Sequence, residues 1–418
     1  MISALFAFFF FCYHVSMRRS GHADLPLHGG RVPGWLKDRM VRLSQAVVEA
    51  VARHYGPGEV LSRLSDPCWF QALGCVLGMD WHSSGITTST LSALKRGVNP
   101  MSRELGIFIC GGRGRQSRKT PEELLRFSET AGLDGEGLVR SSRLVAKVDN
   151  TAVQDGFQLY LHAFVVSRDG KWTVIQQGMN PENRTARRYH WRSAGLRSFV
   201  EEPHSAVIGR NRGLILNLTD RDARPTKDAL VAMTGESPVK TALEARRILM
   251  SREHAVRARD VDIKRLAAVL AAAHDANVRD FASMLLCPGL GPRTLRSLTL
   301  VSEVIHGTPS RFTDPARFSM AHGGKDGHPF PVPLKVYDRS IGVLRSALDR
   351  AKIGRSEKLD AIRNLERFAR RIEKTADPEM DFNGFLKKER AEAHRHGGRT
   401  VFGPAKPPPP SRQLELFP

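Results

Sequence analysis

The sequence predicts an α+β fold in which helical regions flank a small central antiparallel β-sheet. Three observations point there. Apolar residues recur at threes and fours over residues 35–55 and again over 357–376, the period of a helix with one buried side. Over residues 144–179 strand-forming residues replace that pattern, and Ser167-Arg168-Asp169-Gly170 supplies a hairpin turn. The chain has 418 residues, 41% apolar and 26% charged, enough to bury cores of its own in two or three domains.

Residues 1–16 are set apart from that fold. Their apolar run, Ala4 to Tyr13, is too short to span a bilayer comfortably and has no basic residue before it. Met17-Arg18-Arg19 is a natural start, so the segment is read as a misassigned start or a short signal-like piece. A mainly helical region follows over 17–140. In the helix over 35–55, Leu36, Met40, Leu43, Val47 and Val51 form the apolar stripe, and Tyr55-Gly56-Pro57-Gly58 ends it. Further helices are expected over 59–64, over 68–78 behind a Ser65-Asp66-Pro67 cap, and over 88–97. A β-rich region over 141–235 should hold strands at 144–148, 156–166, 172–177 and 214–218. A helical region over 236–376 is expected to contain helices near 262–273, 278–286, 292–305, 337–351 and 357–376. Residues 377–418 form a basic, Pro-rich tail.

The net charge of +21 favours a polyanionic partner, because displacing counterions from nucleic acid supplies affinity without sequence preference. Five scattered cysteines with no CxxC pair imply a reduced, cytoplasmic protein, and no span implies a membrane partner. Ile107-Phe108-Ile109-Cys110 reads as a strand entering Gly111-Gly112-Arg113-Gly114-Arg115-Gln116-Ser117-Arg118-Lys119-Thr120. Its glycines and cations (Arg113, Arg115, Arg118, Lys119) suit phosphate contact, without the spacing of a nucleotide-binding P-loop.

The sheet is the expected seat of any chemistry. Alternation places Gln158, Tyr160 and His162 on one face and Phe157, Leu159 and Leu161 on the other. Asp149 follows the 144–148 strand and Asp155 precedes the next. Carboxylates converging at strand ends would hold Mg2+ or Mn2+ for phosphodiester cleavage. In that reading Asp149 and Asp155 are metal ligands, His162 assists proton transfer or phosphate binding, and Lys147 stabilises developing charge. Arg187 and Arg188, beside Tyr189, His190 and Trp191, offer backbone contact and base stacking. Asp149-Asn150 and Asp155-Gly156 are equally ordinary turn chemistry. His22, Asp24, His28, Asp80 and His82 form a second, weaker metal-site candidate.

Leu286-Cys287-Pro288-Gly289-Leu290-Gly291-Pro292-Arg293-Thr294 resembles the helix-hairpin-helix turn. Its glycines let the chain reverse tightly and bring backbone amides at a helix N-terminus against a DNA phosphate. Leu290 would plug between the two helices, with Gly289, Gly291, Arg293 and Thr294 at the DNA. The turn is similar to that of the glycosylases that include endonuclease III, with Phe330-Pro331-Val332-Pro333-Leu334-Lys335-Val336-Tyr337 as the corresponding downstream stretch. Arg293 stands where that family has its lyase lysine and Pro333 where it has its aspartate, so the resemblance implies DNA binding and not base excision.

Gln413-Leu414-Glu415-Leu416-Phe417 resembles the pentapeptide by which bacterial replication and repair proteins dock on the DNA sliding clamp, the β subunit of DNA polymerase III. Gln413 offers an amide, Leu414, Leu416 and Phe417 fill apolar pockets, and Pro407-Pro408-Pro409-Pro410 stiffens the tether. Across its body the chain also resembles a bacterial and archaeal family known as domain of unknown function 763. The resemblance rests on Ala23-Asp24-Leu25-Pro26-Leu27-His28-Gly29-Gly30, Trp69-Phe70-Gln71-Ala72-Leu73-Gly74, Asp80-Trp81-His82-Ser83-Ser84-Gly85, Gln154-Asp155-Gly156-Phe157-Gln158-Leu159-Tyr160, Gln176-Gln177-Gly178-Met179 and Ala321-His322-Gly323-Gly324-Lys325-Asp326-Gly327. It implies no activity. The expectation is a cytoplasmic, nucleoid-associated DNA-maintenance protein recruited by the clamp, with metal-dependent cleavage at the sheet. The alternatives are a glycosylase-like repair enzyme and a non-catalytic adaptor.

Overall fold

The computed structural model describes residues 25–26, 32–79, 84–209, 211–238, 241, 263–316, 334–375, 391, 399–400 and 403–404. The fold is α+β, with one main antiparallel sheet between two helical layers. The sheet runs β1 (Leu25–Pro26), β6 (Thr185–Arg192), β5 (Trp172–Asn180), β4 (Gln158–Ser167), β2 (Ile107–Arg113), and β7 (Ala206–Ile208) shares the outer edge of β6 with β1. A smaller sheet joins β3 (Val153–Gln154), β8 (Leu214–Asn217) and β9 (Phe312–Thr313).

One face of the main sheet presents Leu161, Ala163, Val165 and Ile175. On it pack α1 (Gly34–Tyr55), α2 (Pro57–Ser65), α3 (Pro67–Val76) and α4 (Gly85–Val98). Asp66 caps α3 by accepting from the amides of Cys68 (2.8 Å) and Trp69 (3.3 Å), as its sequence signal predicts. The same core takes Leu344 and Leu348 from α12 (Leu334–Arg350), and Leu365 and Phe368 from α13 (Arg355–Thr375). After α5 (Ser102–Leu105) the chain enters the sheet, and the opposite face carries Phe164, Val166, Val174, Tyr189 and Trp191. There pack α6 (Thr120–Ala131), α7 (Gly135–Lys147), α8 (Arg224–Gly235), α9 (Ile263–Asp275), α10 (Phe281–Leu285) and α11 (Pro292–His306). Both cores therefore cut across the divisions drawn at residues 140 and 235: β2 comes from the first region, and the last two helices return to it.

Three local expectations are corrected. Residues 144–147 are the end of α7, not a strand. Asp134 caps that helix by accepting from Gly137 N (2.9 Å), and Leu138, Val139, Ser142 and Val145 continue its buried stripe. A π-helical turn, Val148–Ala152, then swings Asp149 inward. A bulge between Leu159 and Leu161 breaks the strict alternation of β4. Tyr160 joins the first core and His162 hydrogen-bonds on the other side of the sheet, so the two do not share a face. Arg187 to Trp191, read as offering backbone contact and base stacking, lie in the buried strand β6.

Candidate nucleic-acid interface and its buried supports

The turn between α10 and α11 is the candidate for contact with a nucleic-acid backbone. Gly289 sits at φ +80°, a left-handed conformation that a side chain would strain. Pro288 and Gly289 are exposed, whereas Leu290 is buried between the helices. Pro292 opens α11 and has no amide hydrogen to lose, while the amides of Arg293 and Thr294 lie in the first turn, where no intrahelical acceptor exists. The Arg293 side chain is exposed; the Thr294 side chain is buried, which leaves only its amide for a phosphate.

This turn is held from behind. Lys147 Nζ donates to Leu290 O at 2.6 Å, and Gln154 Nε2 donates to Pro292 O at 2.8 Å. Arg296 Nε closes the tie by donating to Gln154 Oε1 (2.8 Å). Lys147 thus positions the hairpin rather than facing a cleavage site, and partial burial lowers the pKa of its ammonium. Arg140 and Arg143 stand exposed on the same side of α7, at three- and four-residue spacing with Lys147. The Arg140 charge reaches Asp280, which caps α10. Two pairs of exposed arginines, Arg140 with Arg143 and Arg293 with Arg296, therefore flank the turn. Sequence reading missed Arg140, Arg143, Gln154 and Arg296 as site residues; helical spacing on α7 could have signalled the first two, and no local pattern signals the others.

The second cationic element is the loop after β2. Arg113, Arg115, Arg118 and Lys119 are all exposed. The amide of Gly111 is already committed: it donates to Glu123 Oε2 at 2.7 Å, and Lys95 Nζ pairs with the same carboxylate. This loop offers cations rather than the amide cradle expected of it.

Asp149 and Asp155 are not paired ligands at strand ends. Asp149 is fully buried, and its oxygens accept from Gln176 Nε2, from Trp191 Nε1 (2.9 Å) and from His204 Nε2. Gln176 also donates to Val145 O, so its carbonyl oxygen must face His162 Nδ1 at 2.7 Å. His162 therefore carries its proton on Nδ1 and accepts from Ser142 Oγ at 2.9 Å through Nε2. Burial pushes the His162 pKa down, against the pull of Gln176 and Asp149, and keeps the ring neutral.

Asp155 belongs to a separate cluster. It accepts from Phe157 N (3.0 Å), Tyr189 Oη (2.6 Å) and Arg187 (3.0 Å), while Arg187 also holds Asp314 in a two-nitrogen contact. Burial raises the Asp155 pKa despite the Arg187 charge. With their oxygens aimed at protein donors, Asp149 and Asp155 fit a divalent ion poorly. No group of three or more His, Cys, Asp or Glu among the described residues is arranged to hold a metal. Arg187 and Arg188 are wholly buried, so neither presents its guanidinium to the outer surface of a duplex. The candidates His22, Asp24, His28, Asp80 and His82, and Gln413, Leu414, Leu416 and Phe417, lie outside the described residues.

The fold and this surface define an α+β protein that displays a helical hairpin beside exposed arginines. The family model described as "Protein of unknown function (DUF763)" matches residues 21–332, and the chain belongs to that family. No curated protein and no solved structure matches it. Among the described residues, no helix is long and apolar enough to cross a membrane.

Proposed function

We propose that the protein is a DNA-binding protein of repair or replication that grips the duplex backbone through the turn between α10 and α11. The observation that carries this reading is that turn itself: Gly289 left-handed and exposed, Leu290 buried as a plug, and arginines on both flanks. First-turn amides and guanidinium groups together form a phosphate contact that reads no base. The tail residues Gln413, Leu414, Leu416 and Phe417 recruit the protein to the sliding clamp, a role that rests on sequence resemblance alone. Because Asp149 and Asp155 are occupied as hydrogen-bond acceptors, a non-catalytic clamp-tethered adaptor is favoured over a magnesium- or manganese-dependent nuclease.

The deciding experiment is fluorescence anisotropy of a labelled duplex over a range of salt. The double variant Arg293→Ala, Arg296→Ala should bind at least about tenfold more weakly, with a salt slope shallower by about two. Unchanged affinity and slope would remove the hairpin from the interface. Cleavage assays with magnesium or manganese, run in parallel, decide between adaptor and nuclease.

A further inference from the structure

We propose that Arg188, Thr87 and Gln177 form a phosphate-binding site at the N-terminal end of α4, on the sheet face opposite the His162 network. Arg188 is completely buried, and no carboxylate among the described residues pairs with it. Its guanidinium donates to Thr87 Oγ1 (3.2 Å) and Gln71 Oε1 (3.1 Å) and lies 4.7 Å from the Phe70 ring centroid, while Nε has no acceptor. Burial without an anion pulls its pKa down to about 9, which leaves it a cation at neutral pH. Buried charges in folded proteins are normally paired, so the missing counter-charge is the informative feature.

The surroundings fit an oxyanion. Thr87 lies in the first turn of α4, whose leading amides have no intrahelical acceptor and whose N-terminus no side chain caps. Gln177, directly across the strand pair from Arg188, donates to Ser84 O at 3.0 Å, and its own carbonyl oxygen is unpartnered. Unmet donors and one unmet acceptor together match a phosphate that arrives with a hydroxyl or a water. A series of polar contacts links the site to the surface. Gln177 contacts half-buried Tyr160, and the exposed Arg113 guanidinium stands 5.8 Å from that ring. Three of the stretches that carry the family resemblance, around Gln71, Ser84 and Gln177, meet at this point.

The site is independent of the hairpin reading and is tested separately. Thermal unfolding would be followed with inorganic phosphate, with chloride at matched ionic strength, and with 5′-phosphorylated and 5′-hydroxyl oligonucleotides. Millimolar phosphate should raise Tm by about 3 °C, and the rise should vanish in Arg188→Met. Thr87→Val, which keeps the side-chain shape, should weaken the response about tenfold and serves if Arg188→Met fails to fold. A stronger response to the 5′-phosphorylated oligonucleotide assigns the site to nucleic-acid ends, and a response to free phosphate alone assigns it to a soluble ligand. Equal shifts in chloride, an undiminished shift in both variants, or no shift at all would overturn the proposal.

Discussion

Lys147 Nζ and the carbonyl oxygen of Leu290, 143 positions apart in sequence, meet at 2.6 Å. The contact ties the end of α7 to the turn that begins α11. It makes the hairpin part of the main body rather than a loosely appended module.

Lys147→Met should therefore loosen the turn while leaving the exposed cations in place. The expected cost is about 1.5–3 kcal/mol of stability, the range for a lost hydrogen bond from a charged group. Duplex affinity should fall severalfold with an unchanged salt slope, because Lys147 touches protein and not phosphate. Urea unfolding and anisotropy read the two effects.

Gly289→Ala tests the turn from the other side. The new Cβ would strain the φ +80° backbone and approach Val269 Cγ2 at 3.3 Å. A loss of about 1–2 kcal/mol is expected from the left-handed conformation, together with weaker duplex binding. Binding that survives intact would show that this conformation is dispensable.

Acid should destabilise the fold before most carboxylates titrate. Burial holds His162 and His190 below the ordinary histidine value, and the Arg188 charge adds to the effect at His190. The unfolded chain takes up protons first as pH falls through about 6.5. Stability is full above that value and declines below it until the lower folded-state values are passed. His162→Gln should shallow this decline, as measured by urea midpoints from pH 7 to about 5.

Arg187→Met should be the most damaging substitution in the sheet. It leaves Asp155 and Asp314 buried without their shared cation, a change that costs about 3–5 kcal/mol in comparable pairs. Asp314 also accepts from the amides of Arg212 and Ala316, so the loss should spread beyond β6. An increase in stability would mean that the two carboxyl groups do not depend on this cation.

Much of the fold was legible because helical periodicity over residues 35–55 and 357–375 and the Ser167–Gly170 turn are local signals. The misreadings share one physical origin. Residues 144–148 are short and apolar enough to suit either a strand or the last turn of a helix, and the Asp134 cap that decides the matter lies ten residues upstream. Arg187 and Arg188 look like surface cations until partners from α3, α4 and Asp314 arrive from 101 to 127 positions away. The turn between α10 and α11 was legible because its Pro-Gly-Leu-Gly sequence is a local signal. Its support by Lys147 and Gln154 is a tertiary fact that no short motif records.

The return of α12 and α13 to the first core has a consequence for synthesis. Leu344, Leu348, Leu365 and Phe368 complete a surface begun by Met40, Leu43 and Val47, yet they leave the ribosome some 300 residues later. At about 5–20 residues per second, the earliest helices wait roughly half a minute for the segment that covers them. During that interval the nascent chain displays an apolar face that its own C-terminal region later shields. Slowed elongation or a stop codon just after residue 332, where the family match ends, should leave that face open and favour chaperone capture or aggregation.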